Sequence, residues 1–244
     1  MRSGAARRRH AVSCAAVLSV LMPVFNEAGT VKRAIDEVLA ADIGTDIELI
    51  LVDDGSTDGT GEILERTDWP ERVRVLRHER NLGKGAAVRT ALEAARGEFA
   101  AIMDADLEYD PSDLAKLLPP LVSGDTNAVF GVRAFDGYTS HSFLFVMGNK
   151  GVTLVANILF NVYLRDLMTC HKAIRTDVFK SLPLHASGFA IEPEIAARLL
   201  QRGERIFEVP VHYKARGSDE GKKLTAMDGL RVIAMLVRCR LTSG

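Results

Sequence analysis

The stretch Phe99-Ala100-Ala101-Ile102-Met103-Asp104-Ala105-Asp106 decides the fold of this chain. Its apolar run predicts a buried strand, and two carboxylates spaced two residues apart follow that strand directly. Ligands of an open α/β sheet bind at the carboxyl ends of its strands, so Asp104 and Asp106 are expected at such a site. Carboxylate oxygens suit Mg²⁺ or Mn²⁺. Because an acidic pair also occurs in turns and helix caps, its surroundings must decide between these interpretations.

On both sides of this strand, short apolar runs alternate with amphipathic segments. Strands are predicted at residues 17–24, 47–52, 73–77, 99–103, 128–132, 172–175 and 205–213. Helices are predicted at residues 30–41, 58–66, 85–96, from 111 onward, at 143–164, at 192–202 and from 225 onward. Such alternation is typical of an α/β fold with a mainly parallel sheet and helices on both faces. Without repeats or a proline-rich linker, a single domain is expected.

Length and composition narrow the function classes. A chain of 244 residues accommodates one α/β domain with a large core. A formal charge of -1 gives no overall attraction to nucleic acid, so we expect no nucleic-acid partner. The three cysteines, Cys14, Cys170 and Cys239, show no zinc-ligand spacing. Their odd number argues against a disulfide framework and favours a reducing cytosol.

Two segments bear on membranes. Arginines near the start precede an apolar stretch, as in a signal peptide, but cleavage there would remove the first predicted strand. We therefore predict that residues 1–15 are a basic, disordered arm, with contact to anionic lipid as the alternative. The apolar segment 143–164 is interrupted by residues such as Asn149 and Lys150, so it is expected to lie on a membrane rather than cross it. A core helix or a homodimer helix is an equal alternative.

Four polar loops follow predicted strands and should gather along one edge of the sheet. They are Pro23-Val24-Phe25-Asn26-Glu27, Asp53-Asp54-Gly55-Ser56-Thr57-Asp58, Asn81-Leu82-Gly83-Lys84-Gly85 and Asp104-Ala105-Asp106-Leu107-Glu108. Acceptor oxygens of the second loop suit ribose hydroxyls or the N–H edge of a base. The third offers glycines that let backbone approach a ligand, a lysine for phosphate, and a helix N-terminus behind it. Each loop is a weak signal alone, whereas four in strand order are specific.

These four motifs resemble those of the family 2 inverting glycosyltransferases, which have the GT-A (Rossmann-like) fold. The resemblance is closest to the branch of dolichyl-phosphate mannose synthases and polyprenyl-phosphate glycosyltransferases, and it covers about residues 16–241. It implies a GT-A catalytic domain with a nucleotide-sugar half at residues 16–132. It also implies an acceptor half with amphipathic helices at residues 133–241.

For the donor, the resemblance implies that residues of the first two loops hold the nucleoside and that Lys84 lies against ribose and phosphate. Asp104 joins Lys84 there, and Asp106 binds Mg²⁺ or Mn²⁺, with Asp104 and Glu108 as further metal candidates. Mannose synthases commonly have Gln at the position of Glu108, which argues against a direct role for it. The donor-binding candidates are Pro23, Asn26, Glu27, Asp53, Asp54, Lys84 and Asp104.

For the acceptor, the resemblance implies cations that hold a phosphate. The candidates are Arg133, Lys172, Arg216, Lys222 and Lys223, the last three in a polar loop at residues 214–223 that would close over the cleft or else be a surface turn. Glu192 or Glu194 would accept sugar hydroxyls, and one of them would instead be a helix N-terminal carboxylate. Arg216 and Lys222 are counted with Asp104 and Asp106 as catalytic candidates.

The implied reaction is metal-dependent, inverting transfer of a hexosyl residue from GDP-mannose or a UDP-sugar to polyprenyl or dolichyl phosphate. A sugar-hydroxyl acceptor in polysaccharide or cell-wall synthesis is the first alternative. A non-catalytic nucleotide-sugar-binding subunit is the second. Many members of this branch continue into transmembrane helices after the catalytic domain. Because this chain ends at Gly244, we expect a peripheral enzyme at the cytoplasmic membrane face, or a separate membrane subunit that serves it.

Overall fold

The computed structural model describes residues 18–133, 143–214 and 226–242, without the side chains of residues 143–145 and 226–228. Within these residues, seven strands form one sheet in the order β3-β2-β1-β4-β6-β5-β7. The strands are β1 (Leu18–Val24), β2 (Ile47–Asp53), β3 (Val73–Arg77), β4 (Phe99–Ile102), β5 (Ala128–Arg133), β6 (Lys172–Arg175) and β7 (Ile206–Val211).

The sheet is mainly parallel, as predicted. Strands β1 to β4 pair in parallel, and β5 pairs in parallel with β7. Strand β6 is the exception, since it is antiparallel to both of its neighbours, β4 and β5. Strand β5 therefore reaches the rest of the sheet only through strands that come later in the chain. The alternation of strands and helices along the sequence does not predict that β6 lies antiparallel between β4 and β5.

Helices cover both faces of the sheet. They are α1 (Val31–Ala40), α2 (Thr60–Arg66), α3 (Lys84–Ala94), α4 (Leu114–Val122), α5 (Phe143–Phe160), α6 (Thr176–Lys180), α7 (Ile191–Gln201) and α8 (Ala226–Leu241). One apolar core lies between the sheet and helices α3, α5, α6, α7 and α8. The other lies between the sheet and helices α1, α2 and α4. Alternate side chains of the buried strands enter opposite cores, because side chains of a strand point alternately to its two faces.

Helix α5 is shorter than the predicted 143–164 segment. The chain leaves the helix at Asn161, whose φ of 51° is left-handed and which tolerates that conformation better than an apolar residue would. The Asn157 side chain then closes the turn, because its amide group both donates to and accepts from the backbone of Leu164, at 2.9 Å each. The predicted helix after Pro111 begins as a 3-10 turn, Pro111–Asp113, before α4. Within the described residues, no helix has the length and apolarity needed to span a bilayer.

Candidate active site

A cleft of about 390 Å³ opens at the carboxyl ends of the parallel strands. Residues of the loops after β1, β2, β3 and β4 line it, as the four-loop pattern predicts, and Arg133 at the end of β5 lines it as well. Of the predicted site residues, those that line the cleft are Pro23, Glu27, Asp54, Lys84, Asp104, Asp106, Glu108, Arg133 and Glu192. Lining residues that the sequence interpretation missed include Phe25, Tyr109, Met168, Cys170, Phe189 and Tyr213.

Asn26 connects the first two loops. Its φ is 55°, its backbone N–H donates to Ser56 Oγ at 2.9 Å, and its side-chain oxygen accepts from the N–H of Thr57 at 2.9 Å. Asp58 adds a bond of 3.0 Å from the N–H of Ala28 to its carboxylate. Asn26 is thus placed beside the cleft, where it fixes the loops that line it.

The two adjacent aspartates after β2 have different environments. Asp53 is fully buried, accepts from the N–H of Ser56 at 3.0 Å and lies 3.4 Å from Arg77 Nε, on the side of the sheet that faces α2. Asp54 lines the cleft and accepts from the N–H groups of Leu82 and Gly83 at 2.9 and 2.7 Å. The structure therefore brings Asp54, rather than Asp53, to the cleft, and Asp54 also shapes the third loop.

The glycines of the third loop, Gly83 and Gly85, lie against the backbone of residues 186–188. Gly83 has a φ of 94°, and a Cβ atom there would clash with the carbonyl oxygen of Ser187. A Cβ atom on Gly85 would clash with that of Ala186, while the N–H of Gly85 donates to the Ser187 carbonyl at 2.7 Å. Close approach of residues 186–188 to the start of α3 is thus what requires these glycines. It also brings the N-terminus of α7 to the cleft.

Four charged side chains form a continuous line from the cleft into the core, here called the buried charge chain: Asp104, Lys84, Glu192 and Lys172. Lys84 Nζ lies 2.8 Å from Asp104 Oδ2 and 3.0 Å from Glu192 Oε1. The other oxygen of Glu192 lies 2.8 Å from Lys172 Nζ. Side-chain exposure falls from 16% at Asp104 to 0% at Lys172. Negative and positive groups alternate, so each buried charge has an opposite neighbour.

Two of the predicted substrate-binding residues, Lys172 and Glu194, lie outside the cleft. Lys172 is fully buried, and besides Glu192 it donates to the backbone carbonyls of Leu167 and Thr169. Glu194 accepts from the N–H groups of His185 and Ala186 at 2.9 and 2.7 Å, so it fixes the loop before α7. Neither residue lines the cleft. Glu192 does line it, between the ammonium groups of two lysines.

The environment keeps Lys84 and Asp104 ionised. Burial alone would lower the pKa of Lys84, but Asp104 and Glu192 beside it raise that pKa well above its usual value. Burial would likewise raise the pKa of Asp104, yet Lys84 holds it below the usual range. Cys170 Sγ lies 3.2 Å from Lys84 Nζ, and burial together with Asp104 raises the pKa of this thiol well above its usual value. The floor of the cleft therefore combines a permanent cation with a neutral thiol.

The loop after β4 and a pair of tyrosines, Tyr109 and Tyr213, form another part of the cleft lining. Asp106 accepts from the N–H of Glu108 at 3.1 Å, in a turn where Leu107 has a φ of 62°. The Tyr213 hydroxyl donates to Glu108 Oε2 at 2.9 Å. The Tyr109 ring lies 5.1 Å from that of Tyr213, measured between centroids. These contacts join the loop after β4 to the end of β7.

The same region contains a buried histidine. The His171 ring lies 4.4 Å from the Tyr109 ring, and neither of its nitrogens has a hydrogen-bond partner in the structure. Burial lowers the pKa of His171 to about 4, so the ring is neutral at pH 7. It packs under the cleft and does not line it.

Arg133 lines the cleft but is already paired. Its Nε and Nη2 atoms donate to the two oxygens of Asp166 at 2.7 and 2.8 Å, and its guanidinium carbon lies 5.1 Å from the centre of the Tyr213 ring. Such a two-point pair fixes the guanidinium plane. The remaining predicted cations, Arg216, Lys222 and Lys223, lie outside the described residues, as does the basic arm at residues 1–15.

Comparison with known proteins identifies the family. The model of glycosyl transferase family 2 matches residues 19–182, which include the whole charge chain except Glu192. The chain belongs to glycosyl transferase family 2. The predicted family is confirmed, and with it the GT-A-like fold.

Relatives of this glycosyl transferase include two curated proteins named for lipid-phosphate sugars. It is 28% identical over 227 residues to a dolichol-phosphate mannosyltransferase of Pyrococcus furiosus, covering 91% of this chain and 64% of the relative. It is 30% identical over 207 residues to a dodecaprenyl-phosphate galacturonate synthase of Rhizobium johnstonii, covering 82% and 59%. The chain thus spans less than two thirds of either relative. These names confirm the resemblance to the polyprenyl-phosphate branch.

A solved structure shares the fold of this glycosyl transferase. The glucosyl-3-phosphoglycerate synthase of Mycobacterium tuberculosis, crystallised with uridine diphosphate, superposes with a TM-score of 0.72 at 23% identity, covering 92% of this chain and 80% of that one. At this identity the likeness concerns the fold alone.

The carboxylates of this family 2 enzyme fit a shared rather than an enclosed metal site. Within residues 18–133, 143–214 and 226–242, no three His, Cys, Asp or Glu side chains converge as a metal cage. Mg²⁺ in phosphate-handling enzymes is usually held by one or two carboxylates together with substrate phosphates, so a cage is not required. Asp106 and Glu108 line the cleft and supply oxygen donors of the appropriate kind. Asp104 already forms an ion pair with Lys84, so Asp106 is the better candidate for the principal protein ligand of a metal ion.

Proposed function

We propose that this glycosyl transferase moves a hexosyl residue, with inversion, from a nucleotide-sugar to a polyprenyl or dolichyl phosphate in a metal-dependent reaction. GDP-mannose and UDP-sugars are the candidate donors. The proposal places the nucleotide-sugar half at residues 16–132 and the acceptor half at residues 133–241. It also places the enzyme at the cytoplasmic face of a membrane, alone or with a separate membrane subunit.

One observation carries the proposal: Glu192 and Glu194, the carboxylates that could act as a general base toward a hydroxyl acceptor, are both occupied by other groups of the protein. Glu192 lies between Lys84 and Lys172, and Glu194 accepts two backbone hydrogen bonds. Each carboxylate oxygen of Glu192 already contacts an ammonium group, so neither oxygen is placed to receive a proton from an acceptor hydroxyl. This arrangement favours an acceptor that needs no deprotonation.

A lipid phosphate is such an acceptor. The second pKa of a phosphate monoester is about 6, so most of it is a dianion at neutral pH and attacks without a general base. The protein must then hold two anions close together in attacking geometry and offset their repulsion. In-line attack on the anomeric carbon gives a β-linked sugar phosphate from an α-linked donor.

The described residues divide these tasks between donor and acceptor. Lys84, fixed by Asp104 and Glu192, offers its charge to the donor diphosphate, and Glu27 and Asp54 lie on the side where the nucleoside would bind. Arg133, oriented by Asp166, faces the acceptor phosphate. Arg216, Lys222 and Lys223 remain predicted contacts of that phosphate.

The metal would be held by Asp106, with Glu108 beside it. A bound Mg²⁺ or Mn²⁺ supplies positive charge that stabilises the departing nucleoside diphosphate. Glu108 accepts a hydrogen bond from the Tyr213 hydroxyl at 2.9 Å, which fixes the position of its carboxylate. This bond connects the loop that carries Asp106 to the segment just after β7.

The deciding experiment offers radiolabelled GDP- and UDP-sugars to the protein with a short-chain polyprenyl phosphate, in Mg²⁺, in Mn²⁺ and in EDTA. We expect metal-dependent label in the lipid phase from one donor, and a β-anomeric product by NMR. Label that appears only in oligosaccharide would support the hydroxyl-acceptor alternative. Donor binding without transfer to either acceptor would support the non-catalytic subunit.

The metal assignment has its own test. Asp106→Ala should lower transfer by about 100-fold or more, as removal of a transition-state electrostatic contact does. Asp125→Ala, which alters an exposed carboxylate near the end of α4, should leave transfer unchanged. Full metal-dependent transfer by the Asp106 variant would refute the assignment.

A further inference from the structure

His78 connects the loop after β2 to helix α3 through both nitrogens of its ring. Its Nδ1 atom lies 2.7 Å from Oδ1 of Asp54, and its Nε2 atom lies 2.9 Å from the hydroxyl oxygen of Thr90. The side chain of His78 is 10% exposed and that of Asp54 is 3% exposed. We call these three connected side chains, Asp54, His78 and Thr90, the His78 bridge.

The partners of His78 determine which of its nitrogens donates. A carboxylate oxygen only accepts, so Nδ1 of His78 carries the proton that points to Asp54. The Nε2 atom of a neutral ring is an acceptor, and it receives the hydroxyl proton of Thr90. In a protonated ring, Nε2 donates to the same hydroxyl instead, because a hydroxyl can also accept. His78 therefore donates to Asp54 in both protonation states.

Asp54 connects the His78 bridge to the third loop. Its Oδ1 atom also accepts from the N–H of Leu82 at 2.9 Å, and its Oδ2 atom accepts from the N–H of Gly83 at 2.7 Å. These two residues come directly before Lys84 in the sequence. One carboxylate thus receives a side-chain donor from His78 and holds the backbone that leads into Lys84.

The backbone around the His78 bridge is also closely packed. The N–H of His78 donates to the carbonyl oxygen of Asp53 at 2.9 Å. Gly55 has a φ of 70°, and a Cβ atom there would clash with the backbone of Arg80. The loops after β2 and β3 therefore touch without side chains between them, so a shift of one loop must move the other.

The His78 bridge holds the third loop at both of its ends. His78 directly follows β3, and Thr90 lies in the second turn of α3 (Lys84–Ala94). The contact between their side chains therefore closes the segment 79–89, and Asp54 holds the middle of that segment. A loop that is already ordered loses little conformational freedom when a ligand binds, so less of the binding energy is used to order it.

We propose that His78 is a positioning residue for the donor: by holding Asp54 against the third loop, it keeps Lys84 in place for a nucleoside diphosphate. This inference rests on the proposed function, which uses Lys84 for the donor diphosphate. The third-loop residues Gly83 and Lys84 line the cleft, whereas His78 does not. His78 thus acts on the donor through the loop and without touching it.

The test is calorimetric titration of the full chain with GDP and with UDP, in Mg²⁺ and without an acceptor. His78→Leu should weaken binding of the nucleoside diphosphate about tenfold, as loss of one hydrogen bond to a charged group does. His78→Asn should lose no more than about threefold, because its amide nitrogen replaces Nδ1 and only the neutral bond to Thr90 is lost. His78→Gln, whose amide nitrogen replaces Nε2 instead, should bind as weakly as His78→Leu.

A double variant separates positioning from a general loss of stability. In a chain that already carries Lys84→Met, His78→Leu should weaken binding by less than about threefold, because residues that act through one another are not additive. Urea denaturation shows whether each variant is folded at the temperature of the titration. Losses that multiply in the double variant would show that His78 does not act through Lys84 and would overturn the proposal.

His212 provides the matched control. Its Nδ1 atom lies 3.1 Å from Oδ1 of Asp113, and neither residue lines the cleft, so it forms the same kind of pair outside the site. His212→Leu should bind the nucleoside diphosphate as the unaltered chain does. Normal binding by His78→Leu would refute the positioning role, and so would an equal loss in His212→Leu.

The proposed reaction and the positioning role can fail separately. A chain that binds GDP or UDP but transfers no sugar to polyprenyl phosphate would refute the reaction, and the His78 variants would still decide the positioning role. A chain that binds neither nucleotide would refute the donor site and the positioning role together. Weaker binding in His78→Leu that His78→Asn restores, and that disappears in the Lys84→Met background, is the result that supports the proposal.

Discussion

Two lysine–carboxylate pairs in this chain have nearly the same length and very different surroundings. Lys84 and Asp104 are 2.8 Å apart, with side-chain exposures of 9% and 16%. Lys32 and Asp36, one turn apart on α1, are 2.7 Å apart, with exposures of 60% and 54%. The first pair belongs to the buried charge chain, and the second faces solvent on both sides.

The comparison shows that the distance between two opposite charges does not determine how much the pair contributes to the stability of the fold. Water screens an exposed pair, so it contributes about 0–1 kcal/mol. In a buried pair, loss of one partner leaves the other charge without compensation, which costs about 3–5 kcal/mol. In the buried charge chain the same cost applies to four groups. Its inner members, Lys84 and Glu192, each contact an oppositely charged group on both sides.

The largest expected effect is on stability. Lys172→Met should lower the free energy of unfolding by about 3–5 kcal/mol, because Glu192 keeps a buried negative charge without its innermost partner. Lys32→Met should change it by no more than about 0.5 kcal/mol. Urea denaturation of both variants measures the difference. Equal effects at the two lysines would contradict the contrast between the pairs.

A double variant sharpens this prediction. Lys172→Met with Glu192→Gln removes one charge of each sign and leaves the Lys84–Asp104 pair in place. It should recover at least about 1 kcal/mol relative to Lys172→Met, because contacting residues are not additive. Simple addition of the two single losses would show that the chain does not act as a unit.

The next effect is on catalysis and rests on the proposed function. Lys84→Met should reduce kcat/KM for the donor by about 100-fold or more, since Asp104 and Glu192 would then face the donor diphosphate without the cation between them. Lys32→Met should transfer sugar at the unaltered rate. A loss below threefold at Lys84 would remove this residue from the donor site.

A buried histidine extends the comparison to pH. The pKa of His171 is about 4 in the folded protein, below the ordinary value of about 6.5. Between these values the unfolded chain binds a proton that the folded protein does not, so stability falls as the pH is lowered from about 6.5 towards 4. This one group should remove about 2 kcal/mol between pH 7 and pH 5.

Denaturation at the two pH values measures the effect. His171→Phe should lose that part of the pH dependence, whereas His185→Phe, at an exposed position, should keep it. An unchanged pH dependence in His171→Phe would show that the acid sensitivity originates elsewhere.

The smallest expected effect is a difference in how salt changes the stability cost of losing Lys32 and of losing Lys172. The small stability difference between Lys32→Met and the unaltered chain should vanish at 1 M salt, where the Debye length is about 3 Å. The cost of Lys172→Met should persist, because salt does not enter the core. A salt-sensitive cost at Lys172 would mean that water reaches the buried charge chain.

The sequence predicts the donor side of the cleft well because that side depends on local order. Strands β1, β2, β3 and β4 are parallel, so the loops that follow them meet at one edge whatever their other contacts. Asp106, Lys84 and Glu27 are therefore found together, as expected. A motif read along the chain is enough when the sheet itself brings its parts together.

The partners of Lys172 could not be predicted in this way. A lysine after a polar loop is ordinarily exposed, and nothing in its neighbourhood signals burial. Its partner Glu192 is twenty residues away, and Lys172 reaches it from a strand that runs antiparallel between β4 and β5. Likewise, the aromatic contacts of Tyr109 with His171 and Tyr213 join three separate segments.

The inserted strand β6 has a consequence for synthesis of the chain on the ribosome. Strand β5 emerges before β6, but its neighbours in the described sheet are β6 and β7, so it has no place to pair there until Arg175 and then Val211 have emerged. The first four strands can assemble early, with the edge of β4 still open. The edge of β4 thus stays unpaired from the emergence of Ile102 until that of Lys172, about seventy residues later, and that interval is where a holding chaperone would be needed most.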